Sequence, residues 1–231
     1  ILLWAISGLL PLIMLGLWLD SEAAFGFGLT NQELTKYFVS AFAVRQFTAV
    51  WVMVSFEEDN IEGKLSPFLL QPLPPFWRYA SSHIAEQLTR IPFVFFMISI
   101  LFLIVPNSFF IPKLKDFILA GIAIFLAFCV RFLIHWIFAM LCFWNERAAA
   151  IERLLLIPYL FLSGLVAPLE VFSDGVRSIS MLTPYPYLLS FPSKVMSGSE
   201  VNIIGGFAAL LAWGFCLFVV SIFAWRQGVK R

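Results

Sequence analysis

The stretch FEEDNIEGKLSPFLLQPLPPFWRY, from Phe56 to Tyr79, decides how the rest of the chain is read. It is the longest polar interruption in an otherwise apolar sequence. Acids fall at Glu57, Glu58, Asp59 and Glu62, with Glu86 further on. Gly63, Pro67, Pro72, Pro74 and Pro75 limit regular structure. Between them, IEGKLSPFLL is expected to form one short amphipathic helix, closed by the prolines behind it. Ile61, Leu65, Phe68 and Leu69 stand at i, i+4, i+7 and i+8, which is one helical stripe. Such a segment cannot sit in hydrocarbon. It belongs on a membrane face, either as a plain loop between two spans or as a surface for a soluble partner.

Composition sets the surroundings of that stretch. Of 231 residues, 61% are hydrophobic and 13% charged, and mean hydropathy is +0.92. Soluble domains carry about 25% charged residues, so this is a polytopic membrane protein. A net charge of +1 gives no case for nucleic-acid binding. Cys129, Cys142 and Cys216 all fall in apolar runs and read as small hydrophobes, not as a disulfide framework or a metal site.

A span needs about 20 apolar residues. Outward from the loop, the expected spans are 1–19, 34–56, 84–105, 117–144, 154–167 and 201–225, within one transmembrane domain, 1–231. The fold class is all-α integral membrane. The chain starts at Ile1, already inside an apolar run and without Met, so the expectation is that its N-terminus is missing. Six spans place both termini on one side. The side with the polar loop carries Lys64, Arg78, Arg90, Arg147, Arg153, Arg226, Lys230 and Arg231; the other carries Lys36, Lys113, Lys115, Arg177 and Lys194. The excess puts the loop and the termini in the cytoplasm.

Two segments resemble a known family. The acidic turn followed by IEGKLSPFLLQPLPP, Ile61 to Pro75, is similar to the first cytoplasmic loop of permease subunits of type-2 ABC exporters, in the branch encoded separately from the ATPase. FLSGLVAPL, from Phe161 to Leu169, resembles the same family's turn after the fifth span. The resemblance implies that the loop holds a coupling helix docking on the ATPase. The interface would include Glu57, Glu58, Ile61, Gly63, Leu65, Pro67, Phe68, Leu69 and Pro72. Glu146 and Arg147, in the short polar run NERAAAIER, would join them. It further implies an extracytoplasmic re-entrant helical segment after 167, and a basic amphipathic segment before the first span. Partners would be two ABC ATPase subunits, a second identical or homologous permease, and membrane lipids. ATP and Mg²⁺ would sit on the ATPase, in the inner membrane of a prokaryote.

The chain contains no G-x-x-x-x-G-K-[ST], so it has no P-loop of its own. Glu57-Glu58 matches the start of the E-E-x-x-x-R pattern of membrane proteases, but Glu62 stands where Arg is due. Only His83 and His135 exist, and there is no H-E-x-x-H or G-x-S-x-G, so catalysis is not expected. Charges inside spans are costly and point to function. Arg45 and Gln46 fall mid-span, and Arg131 and His135 stand four apart on one helix face. They either line a conduit or contact an anionic headgroup, or else form a hydrogen bond or ion pair between helices or snorkel to a membrane face. The expected function is half of a translocation pathway for an amphipathic, lipid-like or glycan cargo. The rival is a secondary transporter or channel with no ATPase, weakened by the scarcity of mid-span acids for a proton relay.

Overall fold

A computed structural model of the chain describes residues 9–19, 30–104, 109–144 and 149–230. Among these residues the structure is helical, without strands. The helices are α1 (Leu10–Leu19), α2 (Asn31–Thr48), α3 (Val52–Ile61), α4 (Leu65–Leu69), α5 (Pro75–Ile104) and α6 (Leu114–Ala139). They continue with α7 (Ala149–Leu162), α8 (Asp174–Met181), α9 (Tyr185–Leu188), α10 (Ser190–Ser197) and α11 (Ile203–Gly228). A 3₁₀ turn, Met140–Phe143, prolongs α6.

Among the described residues, four helical segments are long and apolar enough to cross a membrane: Asn31–Ile61, Pro75–Leu103, Leu114–Phe143 and Ile203–Gly228. These overlap four of the six expected spans. The helix at 84–105 begins earlier than expected, at Pro75, because Pro is well accommodated in a first helical turn. The other two expected spans meet shorter apolar helices, Leu10–Leu19 and Arg153–Leu162. Residues 1–8 of the first lie outside the described part. In the fifth, the helix stops at Leu162 and the chain turns at Gly164, whose φ is +86°.

The start of α2 is fixed locally. Thr30 and Glu33 form a reciprocal capping box: the Glu33 N–H donates to Thr30 Oγ1 at 3.2 Å, and the Thr30 N–H donates to Glu33 Oε2 at 2.9 Å. From there α2 runs through the middle of the molecule, buried on nearly all sides against α1, α6 and α10. By contrast α5 and α11 show large apolar side chains outward, among them Leu88, Phe95, Leu103, Phe215 and Phe223, as lipid-facing helices do.

The helix pair α2–α3 is one span with a break. Ala49 is extended (φ −68°, ψ 135°) and α3 begins only at Val52. No Gly or Pro stands there, so the break is held from outside. The Trp51 N–H donates to His83 Nε2 at 3.0 Å, and Arg90 Nη1 donates to the Gln46 carbonyl at 2.7 Å. Because Nε2 accepts, the His83 ring proton is on Nδ1, which donates to the Tyr79 carbonyl at 2.8 Å. Arg90 is itself ion-paired to Glu86, one turn earlier on α5.

α11 meets α10 through a glycine. A Cβ at Gly206 would lie 2.0 Å from the Phe191 ring, whereas one at Gly121 would meet nothing within 4 Å. Gly206→Ala should therefore lower the unfolding temperature of the solubilised chain, at a cost of about 1–3 kcal/mol. Gly121→Ala should leave it unchanged or raise it, since Ala favours helix. A thermal unfolding scan of the two variants beside the native chain checks the contrast.

Candidate functional site

The polar loop is built on an aromatic cluster. Phe56, the last large apolar residue before the acids, is fully buried. Its ring meets Trp136 edge-on at 5.5 Å, Phe143 at 5.6 Å and Tyr79 at 5.7 Å. Trp136 also stacks on Trp225 at 5.7 Å and touches Phe76 at 5.5 Å. One cluster thus ties together α3, α5, α6 and α11, and such ring pairs each add about 0.5–1.5 kcal/mol beyond their area. The Tyr79 hydroxyl donates to Asp59 at 2.7 Å, fastening the acidic end of α3 to α5.

The expected single amphipathic helix through IEGKLSPFLL is not formed. Ile61 ends α3, Gly63 turns the chain with φ +71°, and α4 covers only Leu65–Leu69. Pro67 explains the split: in a continuous helix its ring would clash with the Gly63 carbonyl four residues back. The apolar stripe is dispersed as a result. Leu65 is 5% exposed and belongs to the core with Phe56 and Tyr79. Phe68 lies beneath Arg78, whose guanidinium carbon is 3.4 Å from the ring centroid. Ile61 and Leu69 face outward, and they are joined there by Leu70 (88% exposed), Leu73 (67%) and Trp77 (60%). Gly63, Pro67 and Pro72 are exposed, Glu58 is exposed and Glu57 half-buried. Lys64 pairs with Glu62 at the rim, which raises the lysine's pKa. Leu70, Leu73 and Trp77 were not among the expected interface residues, although the prolines around them marked a segment with no helix to bury them. Glu146 and Arg147 lie outside the described residues.

The four polar residues expected mid-span separate into two groups. Arg45 of α2 and Arg131 of α6 converge on one ring, Tyr159 of α7, at 5.7 Å and 4.2 Å from its centroid. Tyr185 of α9 closes the group, 6.5 Å from Tyr159. Gln46 and His135 are instead buried in the packing. The Gln46 main chain serves the helix break rather than the arginine pair. Tyr159 escaped the sequence reading because one tyrosine in an apolar helix carries no pattern. An arginine at the centre of a bilayer costs about 2.5–3.5 kcal/mol on insertion scales. A desolvated cation–π contact returns about 2 kcal/mol.

The turn after α7 is also tied down by protein. The Tyr37 hydroxyl donates to the Gly164 carbonyl at 2.7 Å, the Ser190 N–H to the Ser163 carbonyl at 3.1 Å, and Trp18 Nε1 to the Val166 carbonyl at 2.9 Å. A Cβ at Gly164 would lie 2.5 Å from Tyr37 Oη, so both the turn's φ and its space require glycine. Behind it, α10 packs against α2 and α6, and Lys194 pairs with Glu170.

A family model described as "ABC-2 family transporter protein" matches residues 9–231. No curated protein and no solved structure matches the chain. The match spans nearly the whole sequence, including both segments on which the resemblance rested. With its apolar membrane-crossing helices, the chain is a multi-pass membrane protein and belongs to the ABC-2 transporter family, as an ABC transporter permease.

Proposed function

We propose that this chain is the membrane subunit of an ATP-driven exporter and forms half of its translocation pathway. It crosses the membrane six times, α1 and α7 supplying the two spans with shorter helices. Both termini and the loop from Glu57 to Trp77 lie in the cytoplasm of a prokaryotic inner membrane. Two ATPase subunits, holding ATP and Mg²⁺, dock on that loop, and a second permease, identical or homologous, completes the pathway. The cargo is amphipathic, lipid-like or a glycan. The segment from α8 to α10 dips back from the outer face, and the backbone of α10 is acceptable there because α2 and α6 cover it.

One observation carries this reading: the two-sidedness of the loop. Leu65, Phe68 and Tyr79 fasten its inner side to the bundle, while Leu70, Leu73 and Trp77 remain outside beside a rim of acids. Helix ends on a plain connecting loop need no such apolar outer face. Here, force applied at the outer side is delivered through Phe56 and Trp136 to α5, α6 and α11. The acids would orient a basic partner surface more than they would tighten binding.

Leu70→Asp should leave the chain folded and inserted but weaken ATPase copurification by about 30-fold, the equivalent of one anchor worth about 2 kcal/mol. Leu65→Asp should instead destabilise the chain itself, by about 3 kcal/mol or more, because it buries a charge in the core. Copurification and unfolding temperature, measured on both variants, separate the two sides; full ATPase binding by Leu70→Asp contradicts the docking role.

Topology is checked with single cysteines in a chain whose native cysteines are replaced by alanine. Cysteine at Ser66 should react with impermeant thiol reagents only from the cytoplasm, and cysteine at Ser173 only from outside. Labelling of both from one side rules out six spans.

A further inference from the structure

The break between α2 and α3 is clamped by α5 at two levels, and the two clamps differ in chemistry. On the α2 side, Arg90 donates to the Gln46 carbonyl at 2.7 Å. A guanidinium keeps its proton at any pH a cell meets, so that clamp is permanent. On the α3 side, the Trp51 N–H donates to His83 Nε2 at 3.0 Å. This second clamp exists only while Nε2 carries no proton, because Nδ1 is already committed as a donor to the Tyr79 carbonyl. A proton on Nε2 sets two N–H donors against each other. His83 is only 6% exposed, so solvent does not replace the lost acceptor.

The charged and titratable groups that act on the ring are Glu86 and Arg90 on its own helix and His135 from α6. Phe132 of α6 meets it edge-on at 5.6 Å, and the break turns the Trp51 N–H toward it. Glu86 is paired to Arg90, and its side chain is 42% exposed. It stands three residues from His83, so a carboxylate that reaches the surface lies within one helical turn of the ring. His83 itself lies in the first third of α5, on the side of the polar loop.

We propose that His83 is a proton-sensitive latch on the α2–α3 break. Neutral, it holds the head of α3 against α5; protonated, it releases Trp51 while Arg90 keeps the end of α2 in place. Phe56 and Asp59 go on holding the far end of α3. The released stretch is therefore short, from Ala49 to Val52, and becomes a hinge between the arginine clamp and the aromatic cluster. The released state binds one proton more than the latched state, so the latch is complete at high pH and is lost as the pH falls through the titration of the ring. A free hinge would weaken the link between the loop and α2. Its consequence for ATPase coupling rests on the exporter reading; the latch itself does not.

The test uses the full chain in nanodiscs of phosphatidylcholine, without ATPase, so that its failure leaves the docking reading intact. Hydrogen exchange, read by mass spectrometry on peptides that cover the break, gives its protection once corrected at each pH for the intrinsic exchange rate. Between about pH 8 and about pH 5, the range in which histidine ordinarily changes charge, the native break should lose protection by at least about tenfold. Peptides from α11 should not change. His83→Gln, whose amide oxygen accepts without titrating, should keep the same protection at both ends of the range. His83→Ala, which removes the acceptor, should show low protection at both, and it carries the comparison if the glutamine variant does not fold. Equal protection of the native break across the range overturns the latch. A pH-dependent loss that persists in either variant overturns it as well, and assigns the effect to another group, such as His135 or Glu86.

Discussion

The helix that crosses the centre of this protein stops at Ala49 and restarts at Val52, and a bilayer offers no water to satisfy the groups this exposes. Each unsatisfied group would cost several kcal/mol. The neighbouring helix supplies the remedy: neutral His83 accepts from Trp51, and Arg90 donates to Gln46. Most of what surrounds the break follows from that arrangement. α5 must lie against α2 over several turns, with Glu86 beside Arg90 to balance its charge. Below the break, α3 is held by Phe56 and Asp59 as it leads to the loop, while the span above keeps Arg45 against Tyr159.

The same rule governs the other irregular stretch. At Ser163, Gly164 and Val166 the chain leaves helix α7, and each exposed carbonyl finds a donor from a distant element: Ser190, Tyr37 and Trp18. Both irregular stretches are therefore rigid through their partners, not loose. This suits a permease in which push on one face must reach the other. The aromatic cluster around Phe56 and Trp136 joins the loop to three long helices, and α2 connects it to the outer turn through Tyr37.

Much of this was legible in the sequence. Apolar run length located the long helices, and the polar loop and the FLSG turn pointed to the family. The misreadings have physical causes. Periodicity counted Ile61 and Leu65 as one stripe, but it ignores the clash that Pro67 imposes, so the inner and outer sides of the loop were merged. The break at Ala49–Trp51 has no local signature, because His83 and Arg90 hold it from 32 residues or more away. Their spacing along α5, with Glu86 one turn from Arg90, is the available clue, whereas the count of charges near span ends sets Arg90 on the side of the polar loop. Arg45 and Arg131 were flagged by cost alone. Only tertiary packing could bring them to a shared tyrosine.

The central claim is that the outer side of the Glu57–Trp77 loop, and not its inner side, meets the ATPase. Photocrosslinking reads this directly, with a benzophenone amino acid placed at position 70 or at position 65 in the chain expressed with its partners in the native membrane. The account predicts an adduct of permease plus ATPase mass from position 70, and only internal crosslinks from position 65. An ATPase adduct from neither position, with both chains expressed and inserted, would contradict it.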